Sequence, residues 1–561
     1  MSMQVRQRSN PLQKFTSGLN NYWDASSIKD DELSSVINFE FSTSGSLMSR
    51  PPIWAEKKTT SPYATVVTPA TDEPLDIIGT YIRLNGDRFL VGITNDKTWI
   101  YNVITQAWTQ VATFRASDCT QYMNNLVLSS TTTAGGYWNG TTFTVTNMPR
   151  LGGIELMQNR FFGYGVEGTS TANTIFWSDI TTSGPGGEIT SVWDWDDTDS
   201  QNYYVDIGNG DGQWITAMAP GYNDLVIFRN KSTYRYSFNE DPALGTMQSQ
   251  QQDIGAENKQ CVVKFDNSYY VLSGQTLYKY QNWLFYPLNA QRIKFESDSS
   301  AEYRFQHAVS VVGRRCIVFH NGSTYALNLD TQTWSEWSID SEVAYFVTVP
   351  RQAEDLGEEL YYGISAKVDQ PIADIDYPLF RTSISNSVSL SPTIYGTTVE
   401  NIKCFIRTKT YDFNTPVEWK RLYFWAADIT TSKAVKATVV PVALEEVLPT
   451  PTWDELSKDY DSEPGFKTWD ELSYSGPGDP EYGTWDLLIS SDGGFETTIA
   501  ELPNYGRPQR IEAKLNQSLR FRRIYFELYL ECDGSPATSP VQVYSITPMI
   551  GVKAKVARGA N

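Results

Sequence analysis

The sequence predicts an all-β protein, a β-propeller with an additional β-sandwich-like C-terminal domain. Aromatic residues make up 13% of the chain, and alternating Thr, Val, Tyr and Phe runs recur between Gly, Asn, Asp and Ser turns. A hairpin-like unit repeats: Tyr101-Asn102-Val103-Ile104-Thr105-Gln106-Ala107-Trp108-Thr109 returns as Leu327-Asn328-Leu329-Asp330-Thr331-Gln332-Thr333-Trp334-Ser335. No segment longer than about a dozen residues carries clean helical periodicity.

In chain order, Arg88–Ile93, Trp99–Val103, Leu126–Ser129, Ile317–His320 and Thr324–Asn328 read as strands, each bounded by turn residues. Looser relatives of the repeated unit are Tyr137–Phe143 and Leu277–Trp283. Hairpins in which the outer strands of a small sheet meet at a turn, with an aromatic packed between neighbours, are the sequence mark of propeller blades. Residues 60–390 are therefore assigned to the propeller, with five to eight blades, and residues 1–59 to an N-terminal extended assembly segment. Beyond 390 the pattern changes. Lys420-Arg421-Leu422-Tyr423-Phe424 and Arg522-Arg523-Ile524-Tyr525-Phe526 match, and alternation in both suits a half-exposed antiparallel sheet. Residues 391–561 form the β-rich C-terminal domain.

Within it, Thr-Trp-Asp recurs at Thr452, Thr468 and Thr484, a spacing of 16. Ten acids and two lysines between Trp453 and Asp486 give that stretch a net charge of 2 − 10 = −8. An acidic Gly/Pro/Ser-rich segment of this kind, at about 450–487, reads as an insertion loop stapled by Trp. Its carboxylates Asp454, Glu455, Asp470, Glu471 and Asp486 are candidates for lining a channel or presenting a docking surface.

Charge narrows the function. Lys plus Arg number 45 against 65 acids, so the net charge is 45 − 65 = −20, which repels duplex phosphate and opposes tight nucleic-acid binding. The five cysteines are scattered without a Cys-x-x-Cys pair, signalling neither a zinc knuckle nor a disulfide framework. The N-terminus lacks the apolar core of a signal peptide, and no run of about 18 apolar residues is present, so synthesis in the cytoplasm and no membrane span are expected.

Catalytic constellations are sparse. With only His307 and His320, a Ser/His/Asp triad or a His-rich metal site has two positions to build on, and both look like ordinary strand residues. No P-loop, Gly-x-Ser-x-Gly elbow or His-Glu-x-x-His occurs. Gly163-Tyr164-Gly165-Val166-Glu167-Gly168 satisfies Gly-x-Gly-x-x-Gly, but Thr169–Asn173 and a strand ending at Trp177 follow where a dinucleotide site needs a helix. A glycine turn between strands is expected instead. Asp194, Asp196, Asp197 and Asp199 space carboxylates as a Ca²⁺ loop does, yet Asp199 stands where an EF-hand has Gly and Val205 where it has Glu. No cofactor and no enzymatic activity are expected. The basic run Arg507, Arg510, Lys514, Arg520, Arg522, Arg523 faces Glu501, Glu512, Glu527 and Glu531, which suits strand-face ion pairs or subunit contact.

The N-terminus carries a more specific signal. Gly18-Leu19-Asn20-Asn21, Asp24, the run Ile28–Glu32, Val36-Ile37-Asn38-Phe39-Glu40 and Gly45-Ser46-Leu47-Met48-Ser49-Arg50-Pro51-Pro52 follow one another in that order. Trp177-Ser178-Asp179, Asp211–Pro220, Leu225–Phe228 and Ser232–Tyr236 come next. This succession resembles the tail nozzle proteins of short-tailed bacteriophages, also called tail tubular proteins B. The resemblance implies a structural virion protein, made in the host cytoplasm and resident in the virion tail. It implies a homohexamer around an axial channel for genome ejection, contacting a portal-adaptor protein above and tail fibre, spike or needle proteins below. Double-stranded DNA would pass without sequence recognition, since acidic walls hold it off. Gly18, Asn20, Asp24, Asn38, Arg50 and Pro51 are the assembly candidates. The alternatives are another tail component with the same module, a hub or distal tail protein, and a glycan-binding or hydrolytic propeller.

Overall fold

The computed structural model describes residues 6–9, 12–13, 15–51, 53–56, 76–103, 105, 107–180, 195, 203–208, 211–221, 223–295, 307–338, 343–350, 358–364, 379–383, 398–399, 402–413, 419–430, 435–444, 495–499, 509–532 and 542–552. Their regular secondary structure is strand throughout except for two short 3₁₀ turns. They divide into two compact units, one of Met1–Arg50, Asn401–Asp533 and Ser539–Asn561, the other of Pro51–Glu400 with Gly534–Thr538.

The first unit opens with β1 (Arg6–Ser9), β2 (Leu12–Gln13), β3 (Gly18–Leu19), β4 (Glu32–Ile37), β5 (Phe39–Phe41) and β6 (Leu47–Ser49). The second begins at β7 (Ile53–Glu56) and continues through β8 (Asp76–Ile82), β9 (Arg88–Ile93), β10 (Thr98–Asn102) and β11 (Ala107–Ala112), which pair in sequence as an antiparallel four-stranded sheet. The next three sheets repeat that order. They are β12 (Asp118–Tyr122), β13 (Asn125–Ser129), β14 (Gly136–Trp138) and β15 (Phe143–Val145); β16 (Gly153–Met157), β17 (Arg160–Tyr164), β18 (Thr174–Trp177) and β19 (Tyr204–Asp206); and β20 (Ile215–Pro220), β21 (Asp224–Arg229), β22 (Thr233–Ser237) and β23 (Thr246–Gln251). Two more follow, β24 (Val262–Phe265), β25 (Ser268–Ser273), β26 (Thr276–Gln281) and β27 (Leu284–Pro287), then β28 (His307–Val312), β29 (Arg315–His320), β30 (Ser323–Asn328) and β31 (Thr333–Trp337). The last sheet is β32 (Val343–Pro350), β33 (Glu358–Ile364), β34 (Leu379–Ser383), then β7, then β35 (Thr398–Val399).

These seven sheets form a closed ring. The first strand of each packs on the first strand of the next, β8 on β12 and so on through β28 on β32, and β32 returns to β8. The unit is a seven-bladed β-propeller, which fixes the count inside the expected five to eight. A strand from ahead of the first blade, β7, pairs antiparallel with β34 and completes the seventh blade, so both ends of this unit are held in one sheet.

Burial explains the strand chemistry. Strands covered on both faces are buried throughout, as in β13, Asn-Leu-Val-Leu-Ser, β21, Asp-Leu-Val-Ile-Phe-Arg, and β28, His-Ala-Val-Ser-Val-Val. Between blades one and two lie Ile78, Phe89, Leu126 and Trp138, and between three and four Phe162, Trp177, Ile215 and Tyr236. Aromatics bury the most area per residue and fill the wedge-shaped gaps between blades. All four hairpins read from the sequence occupy one equivalent place, the turn between the third and fourth strands of blades one, two, five and six.

The first unit is completed by β36 (Ile402–Thr408), β37 (Lys420–Thr430), β38 (Val435–Leu444), β39 (Phe495–Ile499), β40 (Gln509–Phe521), β41 (Arg523–Cys532) and β42 (Gln542–Val552). One sheet runs β40-β37-β42-β6-β5, with β1 and β2 also on β42; in the other, β4 is followed by β36, β41, β38 and β39, with β3 parallel to β4. This is the β-sandwich, and β37 and β41, the two matching strands of the sequence, fall in different sheets of it. Its interior is apolar, Leu422, Ala426, Ile524, Phe526 and Leu528 alternating inward. The division differs from the one expected at 59 and 390. Residues 1–50 belong with the C-terminal strands because β4, β5 and β6 supply ladder partners that β36 and β42 take up.

Candidate functional site

Four of the N-terminal assembly candidates are tied into the first unit, Gly18 and Asn20 at Glu32, and Asn38 and Arg50 to each other. Gly18 takes φ +83°, a left-handed conformation suited to glycine, and pairs with Glu32 where β3 meets β4. Asn20 is buried and its Nδ2 donates to Glu32 Oε2 at 3.0 Å, while the same oxygen accepts from the Lys29 backbone at 2.8 Å. Asn38 holds φ +60°, and its side-chain oxygen accepts from buried Arg50 Nε at 2.8 Å while its carbonyl accepts from the Arg50 backbone at 2.9 Å. Cys404 Sγ donates to the same Asn38 carbonyl at 3.4 Å, so β36 is held there too.

The loop between β3 and β4 is pinned from the C-terminal half. Lys409 Nζ lies 2.8 Å from Asp30 and donates to the Ile28 carbonyl at 2.9 Å, and the Thr410 backbone donates to Ala25 at 2.9 Å. Asp24 is exposed and accepts from Ser26, whose hydrogen bonds draw its carboxyl below the ordinary value. Beside it the rings of Tyr22 and Trp23, 51% and 52% exposed, meet edge to face at 5.2 Å. Gly18, Asn20, Asn38 and Arg50 thus act within the chain, and Asp24 with its two aromatic neighbours faces outward. Pro51, buried, opens the propeller unit.

The later pieces of the motif series are also structural. Asp211 forms a bidentate ion pair with buried Arg229, 2.8 Å from Nη1 to Oδ2, which draws Asp211 below the ordinary carboxyl value. Arg229 Nη2 also donates to the Gln213 carbonyl at 3.1 Å, and Ser232 Oγ donates to Gln213 Oε1 at 2.7 Å. These bonds fasten the run-in of blade four. Ser178 Oγ accepts from the Phe161 backbone at 3.0 Å, with Trp177 buried beside it.

A second cluster stands at the propeller axis. Lys259, in a short 3₁₀ turn ahead of β24, places Nζ 2.6 and 2.5 Å from the two oxygens of Asp118 and 3.1 Å from Glu155 Oε1. Asp118 opens β12 and Glu155 lies in β16, so a side chain leading into blade five reaches the inner strands of blades two and three. With blade four between, that bridge crosses the middle of the ring. Asp118 is 1% exposed and also accepts from the Cys119 and Ile154 backbones at 2.7 and 2.8 Å. Burial pushes Glu155 above its ordinary value, with Lys259 pulling against it; Lys259, which burial would lower, is pushed up by Asp118 and then Glu155. Sequence reasoning missed this trio because the residues are far apart. The available trace was single charges inside otherwise apolar inner strands, at Asp118-Cys119 and Ile154-Glu155-Leu156.

The two histidines are likewise brought together. His307 opens β28 and pairs with His320 at the end of β29, their rings 4.5 Å apart. His307 Nδ1 shares a hydrogen bond with Glu257, which holds that carboxyl below its ordinary value. Glu257 is depressed, so its contribution to stability is present above the unfolded value near 4.5 and is lost as pH falls through the folded value. Glu257→Gln is expected to lower the denaturation midpoint at pH 7, with the gap from wild type closing below about pH 4.5. A gap independent of pH would show that the hydrogen bond does not act through ionisation.

The segment with dinucleotide-like spacing is a glycine turn between β17 and β18, as its residues predict. A Cβ on Gly165 would meet the Thr171 carbonyl oxygen at 1.8 Å, and one on Gly163 the Leu151 side chain at 2.3 Å. Gly165→Ala should therefore cost about 1–3 kcal/mol by overpacking, seen as a lower Tm. An unchanged Tm would mean that the turn relaxes freely. Asp194, Asp196, Asp197 and Asp199, and Asp454, Glu455, Asp470, Glu471 and Asp486, lie outside the described residues, as do Arg507 and Glu501. Of the basic run, Arg510 is exposed and Arg522 stacks over Trp419 at 4.9 Å; Glu527 takes Arg407, at 2.7 Å, from the adjacent strand.

No family model matches the chain, and no curated protein matches it. Solved structures do. The WD40 β-propeller domain of Doa1 is 6% identical, with a TM-score of 0.36 over 59% of this chain and 97% of that one. YCF48 from Cyanidioschyzon merolae is 11% identical, TM-score 0.34, over 56% and 97%. The computationally designed Ika8 protein is 10% identical, TM-score 0.33, over 55% and 96%. The propeller assignment rests on the strand order and ring closure above.

Proposed function

We propose that this chain is a structural protein of a short-tailed phage virion, a tail nozzle whose copies assemble around a channel for genome ejection. The observation that carries the reading is where the family-like motif falls. Gly18, Asn20, Asn38 and Arg50 tie the N-terminal strands into the first unit and, through Asn38, to β36, the construction expected of an ordered structural hub. The Lys259 bridge adds a constraint. A duplex whose major groove alone is about 12 Å wide cannot pass an axis spanned by direct side-chain contacts. On this reading DNA runs beside the propellers, through an opening enclosed by several copies, with a portal adaptor above and fibre, spike or needle proteins below.

The test is electron microscopy of the purified full chain at rising concentration, alone and with the adaptor protein. Six-fold rings with a hole wide enough for duplex are expected, the hole lying between subunits. Monomers under every condition, adaptor included, would end the nozzle reading.

A further inference from the structure

Propeller geometry sorts the exposed apolar residues by face. In each blade the turns between strands one and two, and between strands three and four, share one face; the remaining connections share the other. Among the described residues, Leu84, Met123, Ile180 and Tyr204 of blades one to three lie at the first face. So do Leu244, Trp283 and Leu284 of blades four and five, with Tyr286 further along β27; of the large exposed apolar residues of the propeller among those described, Val145 lies at the other face. Chance scatter of single surface apolars needs no explanation, but a one-sided concentration marks an interaction surface.

The blade four and five part is built rather than incidental. Leu244, 80% exposed, ends a 3₁₀ turn capped by Asp241. Trp283 sits in the two-residue turn between β26 and β27 with φ +67°, after Asn282 at +51°. Such turns favour Asn-Gly, and a bulky residue there is strained. The Arg235 guanidinium from blade four lies 3.4 Å over the Trp283 ring and is itself fixed to Asp224 at 2.7 Å, so the tryptophan is held outward, 44% exposed, on a rigid support. Leu284 and Tyr286 extend the apolar surface along β27, the outermost strand of its blade.

Charge identifies the occupant. Arg235 is neutralised by Asp224, Lys264 lies over the Tyr269 ring of its own blade, and Lys279, opposite Tyr286, is outnumbered by the exposed carboxylates Glu240, Asp241 and Asp266 in the turns of blades four and five at this face. We propose that this surface docks a protein segment that carries apolar side chains together with a lysine or arginine. The apolar groups cover Leu244 and Leu284, and the cation lies over the exposed aromatics and pairs with the carboxylates. Nucleic acid is repelled by those same acids.

Selection of a random dodecapeptide display library on the immobilised full chain tests this. The expected consensus combines aromatic or aliphatic residues with Lys or Arg. Affinity of the selected peptides should fall at least tenfold on Leu244→Ser and on Trp283→Gly. Glycine accepts φ +67° without strain, and a Tm measured on each variant separates lost contact with the peptide from lost fold, a binding loss that only tracks a fallen Tm overturning the proposal. Equal binding to both variants, or an acidic or uncharged consensus, overturns the proposal. So does sedimentation showing that wild type self-associates through this face and the variants do not, since the occupant is then a second copy.

Discussion

Lys259→Met should be among the most destabilising single substitutions in the chain, at about 3–5 kcal/mol, because it removes the cation from a buried pair and leaves the carboxylates behind. Asp118 would keep only its two backbone donors, and Glu155 would keep only the weaker attraction of Lys264 from blade five. The midpoint of denaturant unfolding should fall with little change in slope. The pH dependence follows from the same chemistry. Burial already pushes Glu155 above its ordinary value and loss of Lys259 raises it further, so the deficit of the variant should shrink as pH falls from that raised value toward the unfolded one near 4.5, below which Glu155 is protonated folded or unfolded. Adding Asp118→Asn to Lys259→Met should recover part of the loss, as neutral partners need no counter-ion. A Lys259→Met protein as stable as wild type at pH 7 would show that water replaces the ammonium, and the axis would then not be sealed by this bridge.

Arg50→Met should cost about 1–3 kcal/mol by a different route, since the buried Asn38 side-chain oxygen loses its charged donor. The guanidinium is buried and fixes Asn38, whose left-handed backbone sets the turn from β4 into β5. Losing it frees the side-chain oxygen that holds that turn and weakens the seat of β36 on Asn38. Arg50→Lys should rescue little, because an ammonium cannot reproduce the planar fork of donors. Hydrogen exchange is the direct readout: amides of β4, β5 and β36 should lose protection together. Loss confined to β6, next to the substitution, would show that these contacts are not cooperative.

The local part of the fold was legible. Strand alternation and the recurring hairpin with its Trp report contacts a few residues apart, and the matched units at Tyr101–Thr109 and Leu327–Ser335 occupy equivalent turns of blades one and six. The glycine turn at 163–168 was legible for the same reason, since the residues after it forbid a helix. Pairings across hundreds of residues were not. Closure by β7 on β34, and the union of β4 with β36, depend on ladder partners that periodicity cannot name. The site was legible in kind only. Asn20, Asn38 and Arg50 were marked by resemblance, but that they are buried against Glu32 and one another needed coordinates. The facing histidines left no trace beyond polar residues in buried strands, and the axial lysine, in a short turn, left none, because each is one residue whose partner lies on another element.

Because the propeller is inserted between the two parts of the sandwich, the order of synthesis matters. The ribosome delivers β4, β5 and β6 well before β42, with the whole propeller in between. At about 5–20 residues per second, roughly 25–100 seconds separate the first strands from their final partner. In that interval the ring of blades can close, whereas the apolar faces of Leu33, Val36, Phe39 and Phe41 have no completed sheet to join. The nascent chain therefore carries a waiting N-terminal hydrophobic segment for most of its synthesis. Truncated or stalled products should be the aggregating species, and full-length chains should be spared once the last strand arrives.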